Sequence, residues 1–149
     1  MPNTQNRSRI FYLLQWTWGL SQNLVGGIAY LALRRKYPHE TFHGARVTYI
    51  EAPNFGGVSI GMFIFMNPAR GDDYTHDTRI HEFGHCVQSI LLGPLYWLVV
   101  ALPSVVWCNL PPLVRWRKSH KISYYKLYCE SWANAWGQAW TGERQRGHE

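Results

Sequence analysis

Residues 77–92 read Asp-Thr-Arg-Ile-His-Glu-Phe-Gly-His-Cys-Val-Gln-Ser-Ile-Leu-Leu. This stretch predicts a helix that Asp77 or Thr75 can cap and that the following glycine-proline pair ends. His81 and His85 are four residues apart, so both imidazoles lie on one face of that helix. This is the spacing of two histidine ligands on one zinc ion, and Glu82 beside them can deprotonate a zinc-bound water.

The pattern HExxH also arises by chance on ordinary amphipathic helices, so its surroundings matter. Here it lies inside a predicted helix with a cap before it and a stop after it. Gly84 lies within the motif, where glycine weakens a helix by roughly 1 kcal/mol relative to alanine. Its presence therefore predicts that another element packs closely against this helix.

A catalytic zinc site needs a third protein ligand in addition to an open position for water. No Asp follows His85, and the remaining oxygen or nitrogen candidates are His120, Glu130, Glu143, His148 and Glu149. The last three belong to a polar tail that we expect to be loose. Glu130 lies within a predicted helix and is the preferred third ligand, with His120 as the alternative.

Asn134 follows Glu130 by four residues and shares its helical face. A ligating histidine normally donates its other ring N–H to an acceptor, and the Asn134 side-chain carbonyl can be that acceptor. The competing interpretation of Glu130 is a carboxylate paired with Lys126. The apolar residues around Glu130 argue against this, because they indicate a mostly buried helix.

The motif His81-Glu82-Phe-Gly-His85, with Glu130 and Asn134 on a later helix, resembles the gluzincin metallopeptidases. The resemblance implies a zincin-like site in which Glu130 is the third ligand and the residue four positions on supports a histidine ligand. Many gluzincins have Asp at that supporting position. Asn134 can accept a hydrogen bond there but brings no negative charge.

Most of residues 10–140 also resembles small, uncharacterised bacterial metallopeptidases associated with membranes. The matching stretches are 14–20, 59–65, 81–89, 92–96 and 124–134. This resemblance implies a zincin-like active site but names no substrate.

We therefore expect one zincin-like domain over residues 1–149, of the α+β class and mainly helical, with one small β-hairpin before the active-site helix. The predicted elements are an apolar helix at 10–33, a hairpin at 45–66, the HExxH helix at 77–92 and the third-ligand helix at 119–141. The hairpin is predicted from strands at 45–51 and 58–66, separated by turn residues. Three cysteines without a CxxC pattern argue against a disulfide framework.

The net charge of +6 suggests a negatively charged surface as a partner. Only 16% of residues are charged, which is low for a freely soluble domain of this size. Basic clusters flank two apolar stretches, 10–33 and 86–114, and tryptophans lie in or beside both. This placement favours an anionic membrane surface. No signature of nucleic-acid binding is present. We expect membrane association with the active site on the cytoplasmic side, or a cytoplasmic location if the protein is soluble.

The predicted function is zinc-dependent hydrolysis of peptide bonds in a peptide or protein substrate, with Glu82 as general base. Tyr124, Tyr125 and Tyr128 are candidate donors to the oxyanion, although each can equally be a packing residue. The strand at 58–66 can bind an extended substrate or serve only as sheet core.

Two alternatives differ in class. One is a catalytically silent, zinc-binding scaffold or assembly protein at the membrane. Such a protein would have no use for the general base Glu82. The other is an intramembrane metalloprotease, which usually takes a later Asp as ligand, and none follows His85.

Overall fold

A computed structural model describes residues 4–147, so residues 1–3 and 148–149, including His148 and Glu149, lie outside the described part of the chain. The fold is mainly helical with one four-stranded sheet, which confirms the expected α+β class. The helices over this range are Thr4–Trp16 (α1), Leu20–Leu33 (α2), Asp72–Leu92 (α3), Leu102–Asn109 (α4), Pro111–Ser119 (α5) and Tyr128–Thr141 (α6). The three cysteines are free.

The sheet contains two hairpins where the sequence predicted one. Its strands are His39–Phe42 (β1), Ala45–Tyr49 (β2), Gly57–Ile60 (β3) and Phe63–Met66 (β4), in the order β1-β2-β4-β3. β1 pairs with β2 and β3 pairs with β4 in antiparallel fashion, whereas β2 and β4 run parallel in the middle. The prediction that 45–51 and 58–66 form a hairpin with each other is therefore wrong.

A turn at Gly61 splits the predicted strand 58–66 into β3 and β4. Gly61 has φ of +64°, and a Cβ there would lie 2.1 Å from the Asn23 side-chain oxygen. The same oxygen accepts a hydrogen bond of 2.8 Å from the Met62 amide. The turn is therefore held by a side chain from α2, which no local pattern in the strand reveals.

The predicted apolar helix at 10–33 is two helices, since α1 ends at Trp16 and α2 begins at Leu20. The Asn23 side-chain amide donates to the Gln15 carbonyl. That contact ties the end of α1 to the first turns of α2 across the break between them. α1 also begins at Thr4, earlier than predicted.

The HExxH helix ends at Leu92 as predicted but begins at Asp72, five residues before the expected start at Asp77. Two aspartates in its first turn favour the longer helix because they complement the positive end of the helix dipole. The predicted helix 119–141 is shorter than expected. Residues Tyr124–Lys126 form a 3-10 turn capped by the Ser123 side chain, and α6 begins only at Tyr128.

The α3 helix lies at the centre of the molecule, with the sheet and α1 on one side and α6 on another. Two glycines bring α3 and α6 into backbone contact. A Cβ at Gly84 would lie 1.9 Å from the Ala133 carbonyl oxygen, and one at Gly137 would lie 2.1 Å from the Ile80 carbonyl oxygen. The close packing predicted from Gly84 is confirmed, and it brings Glu130 opposite the histidines.

The segment after α3 is broken into short helical pieces. A 3-10 turn at Gly93–Leu95 and a π-helical turn at Trp97–Ala101 lead into α4, and Leu110 is extended before α5. Within residues 4–147, no single helix combines the length and apolar character needed to cross a bilayer. Taken together, the helical segments Asp72–Leu95 and Trp97–Asn109 have the length and apolar composition of a membrane span. The chain bends by 118° between them.

Candidate metal centre

Three buried side chains from α3 and α6 converge at one point. The Nε2 atoms of His81 and His85 lie 3.0 Å and 3.2 Å from the same Glu130 carboxylate oxygen. The ligand atoms of all three residues lie within 4.8 Å of one another. His120, the alternative third ligand, is exposed, and its ring contacts the Trp116 carbonyl and Ser119 instead. The structure therefore groups Glu130, and not His120, with the histidines.

The other ring nitrogen of each histidine faces an amide side chain. His81 Nδ1 lies 2.8 Å from the Asn134 side-chain oxygen, and His85 Nδ1 lies 2.6 Å from the Gln88 side-chain oxygen. The Gln88 amide nitrogen donates to the Cys129 carbonyl, which leaves its oxygen for His85. Because an amide oxygen only accepts, both rings carry their hydrogen on Nδ1.

When the ring is neutral, each Nε2 atom therefore presents a lone pair to the Glu130 carboxylate. Electron-pair donors that meet at these distances repel one another unless a cation lies among them, either a proton or a metal ion. In the metal-free protein, Glu130 holds the pKa of His85 at about 8, overcoming the opposing effect of burial. Burial favours the neutral Glu130 carboxyl, but the two histidines outweigh it and hold its pKa well below the usual range.

Glu82 lies beside this cluster but is not part of it. Its carboxylate packs against β3, where a Cβ at Gly57 would lie 2.6 Å from the nearer oxygen. The other oxygen, Oε2, is buried without a hydrogen-bond partner among the described residues. Burial is the main cause that raises the pKa of Glu82, and the negative charge of Glu130 adds to it.

A cavity of about 790 Å³ opens onto the centre. His81 and Glu82 line it, together with Gly57 of β3, whereas His85 and Glu130 are not among its lining residues. The catalytic candidate and one ligand thus border the cavity, and all three ligand side chains are buried.

The structure brings two of the three candidate tyrosines to the cavity. Tyr124 and Tyr125 line it, and the Tyr125 ring centroid lies 5.1 Å from that of His81. Tyr124 shares a hydrogen bond of 3.1 Å with the Ser104 hydroxyl, and burial is the main cause that raises its pKa far above the usual range. Tyr128 does not reach the cavity, because its hydroxyl donates to the Val99 carbonyl and its ring is largely exposed.

Two residues of the centre were missed by the sequence analysis. Gln88 follows His85 by three residues on the same helical face, so spacing along α3 was a usable signal. Gln145 gave no signal, because it lies in the tail that was expected to be loose. Its amide donates to the Asn134 oxygen at 2.8 Å and to the Asp77 carbonyl at 3.1 Å. The tail therefore packs against the start of α3, contrary to expectation.

Comparisons of the chain with models of protein families, with curated proteins and with solved structures found no match. The resemblance to gluzincins therefore rests on the motif and its spacing. What the centre can do chemically has to be argued from its own geometry.

Proposed function

We propose that this protein is a zinc-dependent peptidase in which His81, His85 and Glu130 hold the ion. The observation that carries the proposal is the convergence of two imidazole lone pairs and one carboxylate oxygen. Two nitrogens and one oxygen are a common catalytic zinc donor set, which leaves a position for water or substrate. When bound, zinc would polarise the scissile carbonyl and acidify water.

Glu82 acts as the proton carrier in this proposal. Glu82 lines the cavity beside His81, where its carboxylate can accept the proton of the attacking water. Burial raises the pKa of Glu82, which makes it a better proton acceptor, and the same group can then return the proton to the leaving amine. Tyr124 and Tyr125, which line the same cavity, are the available hydroxyl donors to the oxyanion.

The β3 strand supports a peptide as the substrate. It is an edge of the sheet, and its first residue, Gly57, lines the cavity beside Glu82. The Asn67 amide donates to the Gly56 carbonyl at 2.8 Å, so Gly56 directs its backbone groups towards β4. Along an antiparallel strand, the next residue directs its backbone groups to the opposite side. Gly57 then has its own N–H and C=O on the free side of the strand, where an extended peptide can pair with them.

A zinc-binding protein without turnover is the second candidate. The burial of all three ligand side chains favours it, because structural zinc sites are closed whereas catalytic sites keep an open position. The position of Glu82 in the cavity lining favours the peptidase, since a structural site needs no general base.

Metal analysis combined with Glu82→Gln separates the two candidates. For the peptidase, we expect one zinc per chain in both forms, and loss of cleavage of a fluorogenic peptide library in the variant by about 100-fold or more. Glu51→Gln is the matched control, since it makes the same change at an exposed position away from the cavity.

Each outcome decides between the assignments. Loss of zinc in Glu82→Gln means that Glu82 is a ligand. Bound zinc with no cleavage by the wild-type protein favours the silent site. Equal cleavage by wild type and Glu82→Gln removes Glu82 from the proposed mechanism.

A further inference from the structure

In the α2 helix, polar side chains are buried and apolar side chains are exposed, which is the reverse of the usual distribution. Its polar residues Gln22 and Asn23 are fully buried, whereas Leu24 is 52% exposed and Ile28 is 70% exposed. In a helix on the surface of a soluble domain, apolar residues face the core and polar residues face water. A helix surrounded by lipid has the reverse arrangement, with amide side chains as contacts between helices.

The buried amides fix this orientation of α2. The Gln22 side chain donates to the Gly93 carbonyl at the end of α3, and the Asn23 oxygen holds the Met62 amide. Gly26 allows close contact on the same side, since a Cβ there would lie 2.3 Å from the Ile60 carbonyl oxygen. α2 therefore cannot rotate its leucines inward without breaking these contacts.

A second exposed apolar run adjoins the start of α2. Leu95, Leu98 and Leu102 are each more than half exposed, while Tyr96 and Val100 between them are buried. The Trp97 indole donates to the Ser21 hydroxyl at 3.1 Å, which joins this run to α2. We define the apolar face as Leu24, Ile28, Leu31, Leu95, Leu98 and Leu102.

Basic residues follow both halves of the apolar face. Arg34, Arg35 and Lys36 are exposed directly after α2, and Arg115 and Lys118 are exposed on α5, beyond α4. Exposed apolar side chains beside lysine and arginine match the surface of an anionic bilayer, where acyl chains and negative headgroups adjoin. A symmetric pair of copies would bring these clusters together in a chain of net charge +6, which disfavours self-association through this face.

We propose that the apolar face docks into an anionic lipid bilayer. The other side of α4 borders the catalytic cavity, because Cys108 lines the cavity and the Trp107 indole donates to the Tyr124 carbonyl at 2.9 Å. Docking therefore brings the cavity wall close to the headgroups. The proposal concerns binding alone and does not depend on hydrolysis.

Flotation of the full chain with vesicles tests the electrostatic part. We expect stronger binding to mixed phosphatidylcholine and phosphatidylglycerol vesicles than to phosphatidylcholine alone, and weaker binding at high salt. A basic residue near an anionic surface contributes about 1 kcal/mol, so Arg35→Gln should weaken binding roughly five-fold. Arg46→Gln, the same change on the exposed side of β2, should leave binding unchanged.

A second pair of variants tests the apolar part. Combined Ile28→Ser and Leu98→Ser should lower vesicle binding by about ten-fold or more, because both side chains leave water on docking. Val58→Ser is the control, since Val58 is exposed on β3 outside the apolar face. Thermal melts of each variant in detergent verify that the fold is kept.

Two results overturn the proposal. One is vesicle binding that the Ile28 and Leu98 changes do not lower. The other is a wild-type protein that forms a dimer and does not bind vesicles, and whose dimer dissociates when Ile28 and Leu98 are changed. That result would assign the apolar face to contact with a second copy of the chain. Vesicle binding without peptide cleavage leaves the docking intact and counts against the peptidase alone.

Discussion

The metal centre between α3 and α6 and the apolar face on α2 and residues 95–102 both reverse the usual distribution of polar and apolar residues. In the metal centre, polar side chains are buried, and their amide and imidazole groups meet one another at hydrogen-bond distance. On the apolar face, leucines and an isoleucine are exposed while the amides of the same helix are buried. In the first region the polar groups contact one another within the chain, whereas in the second the apolar side chains stay exposed, which is why we propose a lipid partner for them.

The largest expected effect comes from the difference in backbone packing between the two regions, which is tight between α3 and α6 and looser at Gly27 of α2. Gly84→Ala would set a Cβ against the Ala133 carbonyl oxygen, so α6 must move away from α3. We expect a loss of about 1–3 kcal/mol or more in the free energy of unfolding, together with weakened zinc binding. Urea denaturation of the zinc-free protein and zinc titration measure the two effects.

Gly27→Ala on α2 is the matched control for that variant. A Cβ there meets the Phe63 ring at 3.5 Å, which is ordinary contact, and alanine favours a helix by up to about 1 kcal/mol over glycine. We expect unchanged or slightly greater stability. Equal losses in the two variants would contradict the claim that backbone contact is special to the metal centre.

The next prediction compares two buried asparagines. Asn134→Ala removes the acceptor of His81 and should weaken zinc affinity about 10–100-fold. Asn23→Ala instead leaves the Met62 amide without its acceptor and should cost about 1–3 kcal/mol of stability, with zinc affinity kept. Zinc titration and denaturation of both variants give the comparison, which fails if Asn23→Ala alone weakens zinc binding.

A smaller effect is expected from the tail. Within the described part of the chain, Gln145 reaches the proposed zinc ligands through Asn134, so Gln145→Ala should weaken zinc affinity by a few-fold, less than the roughly ten-fold lower limit for Asn134→Ala. Arg144→Ala, at the exposed neighbouring position, is the control. An effect on zinc affinity equal to that of Asn134→Ala would mean that the tail holds the centre directly.

The smallest prediction concerns pH. In the zinc-free protein, the pKa of His85 is raised from 6.5 to about 8, so protonated His85 stabilises the fold below pH 6.5 and this contribution is lost as pH rises through 8. Zinc binding should strengthen over the same interval, because zinc competes with the proton for the imidazole. Thermal melts with chelator and zinc titrations from pH 6 to about 8.5 test this.

The second part of the pH prediction concerns the contribution of Glu130 to stability in acidic solution. The pKa of Glu130 is lowered below 4.5, so its contribution is present above that pH and is lost as the solution becomes more acidic. Zinc-free stability that rises between pH 6.5 and 8 would contradict the ion pair between Glu130 and His85.

The amino-acid sequence was enough to predict the parts of the centre that lie along one helix. His81, Glu82 and His85 share α3, and Glu130 and Asn134 share α6, because helical spacing is a local property that the order of residues fixes. The close packing at Gly84 was also readable, since a glycine inside a helix signals a missing side chain.

How these helices and strands meet became visible only in the folded structure. Asn23 splits one predicted strand into β3 and β4 across 39 residues of chain, and Gln145 joins the centre from a tail without any periodic pattern. The late start of α6 at Tyr128 and the outward leucines of α2 depend in the same way on partners distant in sequence. The helix or strand propensity of a residue is similar whether its side chain faces the core or the solvent. The orientation and the bounds of these elements therefore depend on contacts between elements and not on spacing along one element.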